Sequence, residues 1–377
     1  MTKGRASYAV LLALAALDAA GYGVIAPVVP EISDETGAGP ALIGALVAAF
    51  AVGMAAGFVV GGAGVQRSSA RAVLAGALAV LALGTLAFVA GGGLAVYCAG
   101  RVLQGLGSGG LWIGVTFGVL ERFPTAAYTR LTGVLAAYSV GAVAGPALGA
   151  AGGVRAPFLL FFALVALAGA ALPLVGRPAE RPVFGSDRAV LAHPAFRAAS
   201  VGVVLVALGY GTIDGPLPLH FADELGQGAI AGLYVVASLV VGASAVAAGR
   251  LSPRTALWLG LPLISVGVAA AGIGETVAVW AIAIAVAGVG LGLGEAGALG
   301  FLLEATGPER MVLAMVVWSQ VWAVGYLAGP AVSGALAEAL GFAAVGLLPL
   351  VALVLAAPLL VPARGFRRAE HSHNIRT

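Results

Sequence analysis

Gly141-Ala-Val-Ala-Gly145-Pro146-Ala-Leu-Gly149 and Gly325-Tyr326-Leu-Ala-Gly329-Pro330-Ala-Val-Ser-Gly334 are two versions of one phrase, set about half a chain apart in an almost continuously apolar sequence. Each places Gly-x-x-x-Gly-Pro inside a hydrophobic run. Small residues there let two helix backbones approach closely, and proline removes a backbone donor and bends the helix. Bends at matching points of two halves imply a duplicated membrane protein whose halves alternate between two arrangements. Gly141, Gly145, Pro146, Gly149, Gly325, Gly329 and Pro330 are therefore candidate hinge residues.

The repeat extends beyond that phrase. Gly-Leu-Gly-Ser-Gly-Gly at Gly105 to Gly110 resembles Gly-Leu-Gly-Glu-Ala-Gly at Gly292 to Gly297, and Pro30 with Asp34 and Glu35 resembles Pro218 with Asp223 and Glu224. Chance matches in an Ala/Gly-rich chain would not keep order and spacing. The longest polar stretch, Arg177 to Pro194 with Pro178 and Pro182 inside it, is the natural join. It divides the chain into residues 1–186, an N-terminal six-helix bundle with the first part of a central loop, and residues 187–377, a C-terminal six-helix bundle with a short tail.

Composition fixes the solvent. The 377 residues are 61% hydrophobic and 9% charged, with a mean hydropathy of +1.06. Crossing a bilayer takes about 20 apolar residues, and the breaks between apolar runs predict twelve spans: 7–29, 41–65, 72–91, 94–119, 130–152, 157–176, 196–219, 229–249, 255–273, 277–303, 311–337 and 342–362. A closed barrel would need period-two alternation, which is missing here. The expected fold is an all-α integral membrane protein of two pseudo-symmetric six-helix bundles.

The basic residues set the expected orientation. Lys3, Arg5, Arg67, Arg71, Arg122, Arg130, Arg177, Arg181, Arg188, Arg197, Arg250, Arg254, Arg310, Arg364, Arg367 and Arg368 fall on one face of a twelve-span arrangement. The other face has Arg155 against Glu31, Asp34, Glu35, Asp223, Glu224, Glu275 and Glu338. Positive residues stay inside, so both termini are expected in the cytoplasm of a cell, that is inner or plasma, membrane. The same bias accounts for a pI near 9.2 without a nucleic-acid partner. The first apolar run is too long for a signal peptide and reads as the first span. The single Cys98 lies within a predicted helix and points to packing rather than a disulfide.

Four ionisable residues fall well inside spans: Asp18 in the first, Arg101 in the fourth, Asp214 in the seventh and Glu295 in the tenth. A charge near the bilayer centre costs about 2.5 to 3.5 kcal/mol on insertion scales, so such residues face a protein interior or wet cavity. Three acids stand against one base. If Arg101 neutralises one carboxylate, two remain to take up protons or attract a cation, which makes these four the candidate proton-coupling residues. One or two of the acids could instead serve only as hydrogen-bonding partners of a neighbouring helix. At a rise of about 1.5 Å per residue, Asp18 falls near mid-membrane, Arg101 and Asp214 toward the outer third, and Glu295 toward the inner third.

Aromatic residues accompany them. Asp18 and Tyr22, like Tyr210 and Asp214, are four residues apart and share a helix face, so each phenol can reach the neighbouring carboxylate. In the eleventh span Trp318, Trp322 and Tyr326 form one stripe with Gln320 to the side, and ring faces can hold an organic cation. Helix packing explains that stripe as well as ligand contact does. Trp258 and Trp280, near span ends, read as interfacial belt residues. The candidate substrate-binding set is Asp18, Tyr22, Gln104, Tyr210, Asp214 and Glu295, with Trp318, Gln320, Trp322 and Tyr326.

These residues resemble the major facilitator superfamily over essentially the whole chain, most closely its twelve-helix drug:proton antiporter branch. Arg101-Val-Leu-Gln104-Gly105-Leu-Gly107 resembles the family's Arg-x-x-Gln-Gly-x-Gly element, whose arginine is implicated in proton coupling. Gly141-x-x-x-Gly145-Pro146-x-x-Gly149 resembles the antiporter motif of exporters. Leu17-Asp18, Pro27-x-x-Pro30 and Gly325-Tyr326-x-x-Gly329-Pro330 are further similar to the vesicular monoamine transporters, in which acids of helices 1, 7 and 10 handle amine and protons. Two departures stand out. Ser319 or Gln320 replaces an acid expected in helix 11, and Gly62-Ala-Gly-Val-Gln66-Arg67-Ser-Ser69-Ala-Arg71 is a degraded form of the loop signature Gly-x-x-x-Asp-Arg-x-Gly-Arg-Arg, so its charge latch is expected to be weak.

The resemblance implies a monomeric secondary exporter that uses protons, and no other cofactor, to expel a small lipophilic cation such as a drug or amine. Two alternatives stay open: efflux of a neutral or zwitterionic metabolite such as a sugar or amino acid, and a non-transporting membrane sensor on the same fold. No phosphate-cradling Gly-x-x-x-x-Gly-Lys-Ser/Thr loop exists for ATP. His193, His220, His371 and His373 lie in loops or the tail, which leaves no catalytic set for an enzyme and no metal site.

Overall fold

A computed structural model describes residues 3–123, 126–176, 188–306 and 311–360. Among the described residues, twelve helices are long and apolar enough to cross a membrane. Numbered as spans 1 to 12, they are Gly4–Thr36, Pro40–Arg67, Ala70–Ala90, Leu94–Arg122, Thr129–Gly149, Arg155–Leu174, Pro194–Phe221, Gln227–Ala248, Pro253–Ile273, Val277–Ala305, Leu313–Leu340 and Phe342–Leu360. Each predicted span has its counterpart. The proposed join near residue 186, the arginines at 177, 181 and 310, and the tail with His371 and His373 lie outside the described residues.

Local sequence explains where the helices start and break. Ser69, Ser252 and Thr276 cap spans 3, 9 and 10 by accepting from the backbone N–H groups of Ala72, Thr255 and Val279. Prolines open spans 2, 7 and 9, where their missing N–H has no intrahelical partner to lose. Spans 1 and 7 are both interrupted near the same end. Span 1 passes from Lys3–Gly23 through a 3-10 turn at Ala26–Val28 into Val29–Thr36, and span 7 stops at Asp214 before Gly215-Pro216 and resumes at Leu217–Phe221. The prolines Pro27, Pro30, Pro216 and Pro218 account for both breaks.

Antiparallel alternation puts Arg5, Arg67, Arg122, Arg250 and Arg254 on one face, here the arginine face. Glu35, Asp223, Glu224, Glu275 and Glu338 lie on the other, the acidic face. The degraded loop signature runs over the arginine face. Gln66 is exposed there, and the loop is tied instead by the Ala70 N–H donating to Glu121 of span 4 at 3.4 Å.

Spans 1 and 5, 2 and 4, and 3 and 4 pack within the first half, and spans 7 and 11, 8 and 10, and 9 and 10 repeat that scheme in the second. Lipid tails offer no hydrophobic drive to bring helices together, so close backbone approach has to hold them. A Cβ on Gly141 would collide with the Ala16 carbonyl oxygen of span 1, and one on Gly325 with the Val204 carbonyl oxygen of span 7. Pro146 and Pro330 sit inside uninterrupted helices, pressed on Gly23 and Gly211 respectively. The repeated phrase is thus a steric seam in each half.

The halves meet along spans 2 with 11 and 5 with 8. Near the acidic face Gly44 and Gly334 let spans 2 and 11 touch, and Glu338 accepts from the Ala41 N–H at 2.9 Å. The symmetry-related corner is clamped by Gln227, whose amide donates to Gly149 O at 2.7 Å and accepts from Gly153 N at 2.8 Å. Deeper in, Ser238 donates to Ala142 O at 2.9 Å and Gln320 to Ala55 O at 3.0 Å. Among the described residues no hydrogen bond between the halves lies nearer the arginine face than Gln320. One sequence expectation fails outright: Trp280 is no belt residue but 1% exposed, donating to Gly274 O at 2.8 Å and packed on His220 and Phe221.

Candidate functional site

Asp214 ends the main helix of span 7, beside the Gly215-Pro216 break, at the junction of the halves. Its Oδ2 accepts from Tyr22 of span 1 at 2.8 Å and from Tyr326 of span 11 at 3.2 Å. One carboxylate is thereby held by a phenol from each half. The pairing inferred from helical spacing is therefore corrected. Tyr22 reaches Asp214 rather than Asp18, and Tyr210 reaches Glu295 of span 10 at 3.2 Å rather than Asp214. The i,i+4 rule correctly places each phenol on the face of its neighbouring acid, but a tyrosine is long enough to cross the cavity.

The two phenol partners of Asp214 belong to a cluster of four rings. Tyr22 lies 5.0 Å from Tyr326 and 6.0 Å from Trp322, Trp322 stacks on Tyr326 at 5.1 Å and 14°, and Phe50 of span 2 stands edge-on to both tyrosines. Arg101 is fully buried with its guanidinium 4.4 Å from the Phe50 ring centre. Its Nη1 donates to Gln104 at 3.0 Å, and the Gln104 amide reaches Thr85 at 3.4 Å. Arg101 makes no direct ion pair among the described residues. It lies within electrostatic range of Asp214, Tyr22 and Tyr326, while its Nε and Nη2 have no hydrogen-bond partner. A cation over a ring face recovers part of the attraction an ion pair would have given.

Asp18 and Glu295 form a second layer nearer the arginine face. Asp18 lies one turn below Tyr22 in span 1, is 4% exposed, has the Ser108 hydroxyl of span 4 beside it, and keeps Oδ1 unpartnered. Tyr138 of span 5, edge-on to Trp112 at 5.9 Å, is within range of both acids. Two members of the expected set fall elsewhere. Trp318 is buried in the core of the second half, and Gln320 is engaged with Ala55 on the seam beside a groove of about 390 Å³ lined by Val52, Val321 and Val324.

Sequence reasoning overlooked Phe50, Ser108 and Tyr138. Nothing marks Phe50 in an apolar span, although a buried Arg101 required some partner. A signal did exist for the tyrosines: Gly21-Tyr22-Gly23 and Gly209-Tyr210-Gly211 are the same tripeptide at equivalent places in the two halves.

A twelve-span duplicated bundle with a polar cluster between its halves is the architecture of a membrane transporter. The family profile of the Major Facilitator Superfamily matches residues 11–274 and 199–376, and the chain belongs to that family. It is accordingly a multi-pass membrane transporter and not an enzyme. No curated protein sequence matches the chain. Among solved structures it is similar to a bacterial homologue of the human lysosomal transporter Spinster in its inward-facing, unoccupied conformation, with 16% identity, 96% of each chain covered and a TM-score of 0.78. The occupied form of that homologue gives a TM-score of 0.77 at 16% identity over 94% of this chain and 95% of the other. The human organic anion transporter MFSD10 (TETRAN) gives 0.68 at 15% identity over 96% and 100%. At such identities these likenesses establish the fold.

Proposed function

We propose that the protein is a proton-coupled secondary exporter of small, lipophilic organic cations, acting as a monomer with both termini in the cytoplasm. The observation that carries the reading is Asp214, held by Tyr22 of one half and Tyr326 of the other inside a cluster of four rings. A cation entering that cluster gains ring faces and a carboxylate together. A proton on the same carboxyl removes its charge and its attraction for the cation, so proton and substrate compete. Tyr22 reaches Asp214 across the junction and must let go for the halves to separate on the acidic side, while Tyr326 moves with Asp214 in its own half. Occupancy of the carboxyl is thereby tied to the rocking of the bundles. Each half contributes to the one site, so a single chain suffices.

In this reading the arginine face is cytoplasmic by the positive-inside bias. The clamps at Glu338 and Gln227 then close the outer side, and the site loads from within. One observation favours a second substrate class. The two unpartnered donors of Arg101 offer a ligand carboxylate a partner within range of Asp214, as a zwitterion would require.

Purified protein in liposomes with an acidic lumen tests this. Cationic dyes should accumulate in the lumen through molecules whose arginine face meets the bath, in step with the pH difference, and Asp214→Asn should reduce that accumulation at least about tenfold. Transport indifferent to the gradient would end the coupling, and uptake of amino acids but not monocations would select the zwitterionic reading.

A further inference from the structure

The two layers of the site differ in net charge. Arg101 and Asp214, with the four rings, form a balanced layer of one base and one acid. Asp18 and Glu295, a layer nearer the arginine face, have no buried base beside them among the described residues. The uncompensated negative charge of the cavity is therefore concentrated in that lower layer.

Symmetry places these two acids. In sequence, the tripeptides around Tyr22 and Tyr210 align the first helix of each half, and Gly105-Leu-Gly107-Ser108 aligns with Gly292-Leu-Gly294-Glu295. Ser108, the neighbour of Asp18, is thus the counterpart of Glu295. Each half presents one carboxyl at its own contact between first and fourth helices, once from the first helix and once from the fourth. Tyr138 stands within range of both, and Tyr210 already donates to Glu295. Asp18 Oδ1 is buried without a donor, and a buried acceptor with no partner carries a full desolvation penalty until something supplies one.

We infer that Asp18 and Glu295 form a paired-carboxylate site for an organic dication, whose two positive centres lie on either side of the pseudo-two-fold axis and whose linker lies against Tyr138. This rests on the proposed cation transport and narrows its substrate class. A monocation leaves one of the two carboxylates uncompensated, so the pair selects for two charges rather than for greater apolar bulk. Two protons are the matching exchange, one for each carboxyl.

Bis-trimethylammonium alkanes and singly charged alkyltrimethylammonium ions of equal chain length are suitable probes, because their charge does not change with pH. Binding to the purified full-length chain is read by calorimetry. At the best linker length the dication should bind at least about tenfold more tightly than the monocation, a modest share of one ion pair in a partly desolvated site. Glu295→Gln should bring that ratio close to one, as should Asp18→Asn, whereas Asp214→Asn in the other layer should leave the ratio intact while weakening both ligands. Melting curves identify any variant that has lost its fold, and Glu295→Asp, which keeps the charge, should restore part of the preference. Equal affinities in the wild type, or a preference that survives both lower-layer substitutions, would overturn the inference and leave cation transport standing. Failure of every cation to bind would overturn both.

Discussion

The first and second halves of the chain share their backbone contacts and differ in their charges. Span 5 closes on span 1 through Gly141 and Gly145, over Ala16 and Ala20, as span 11 closes on span 7 through Gly325 and Gly329, over Val204 and Leu208. Tyr22 and Tyr210 hold equivalent positions, and so do the prolines above Gly23 and Gly211. The acids do not match. The first half has Asp18 on its first helix and the base Arg101 on its fourth, whereas the second has Asp214 and Glu295 on its first and fourth. A seam in van der Waals contact cannot change without collision, while a charge need only reach the cavity and can do so from either neighbouring helix.

The seams should give the largest effect. Gly141→Val and Gly325→Val should each cost about 3 kcal/mol or more, since backbone rather than a flexible side chain blocks the added atoms. Either variant should fail to yield folded protein or melt far below the wild type. Gly76→Ala, with nothing within 4 Å of its added carbon, should melt normally. A half that tolerated its valine would show that the two seams are not equivalent.

Next come the acids. Asp214→Asn should reduce gradient-driven transport at least about tenfold, or about 1.4 kcal/mol of coupling, while Asp18→Asn and Glu295→Gln should impair it to similar extents. A sharper test moves a charge between helices. Asp18→Ser combined with Ser108→Asp puts the first half's acid where the second half carries Glu295, and it should recover much of the transport lost in Asp18→Asn alone. No recovery would mean that the helix bearing the acid matters and that the symmetry of the layer does not.

The divergence also explains what could be read from the sequence. The spans were legible because bilayer thickness imposes a length and composition on every crossing helix. The duplication was legible because seams permit only small residues. The four intramembrane charges stood out by their cost in lipid. Their partners did not, because a pairing such as Tyr22 with Asp214 joins residues 192 apart and depends on how the two halves dock. Trp280 lies near a span end by sequence, yet the His220 and Phe342 rings of spans 7 and 12 bury that corner. Phe50 carries no mark at all, since a ring that holds a guanidinium reads like one that packs against lipid.

Removing single hydroxyls should separate the halves by a smaller margin. Tyr22→Phe leaves Asp214 with Tyr326, whereas Tyr210→Phe removes the phenol that donates to Glu295. A hydrogen bond donated to a carboxylate favours its ionised form, so Tyr210→Phe should shift the pH dependence of transport more than Tyr22→Phe does. Losing a donor to the ionised form makes the carboxyl easier to protonate, so the displacement should be toward higher pH. An equal displacement in both variants would mean that the two phenols on Asp214 are not redundant.

The smallest effect belongs to the clamps on the acidic face, where the halves again solve one problem in two ways. Glu338 offers a charged, exposed acceptor to the start of span 2, while Gln227 makes several neutral bonds around Gly149 and Gly153. Exposure and salt screen the first, so Glu338→Gln should cost no more than about 0.5 kcal/mol, whereas Gln227→Ala should cost about 1 kcal/mol net, because water replaces part of what is lost. Spin labels at Thr36 and Leu340, with Cys98 replaced by alanine, would report the resulting shift toward separation on that face. Added salt should mimic Glu338→Gln and leave Gln227→Ala unaltered. If salt alone opened the acidic face as far as Gln227→Ala does, closure would rest on the charge of Glu338 and not on the amide of Gln227.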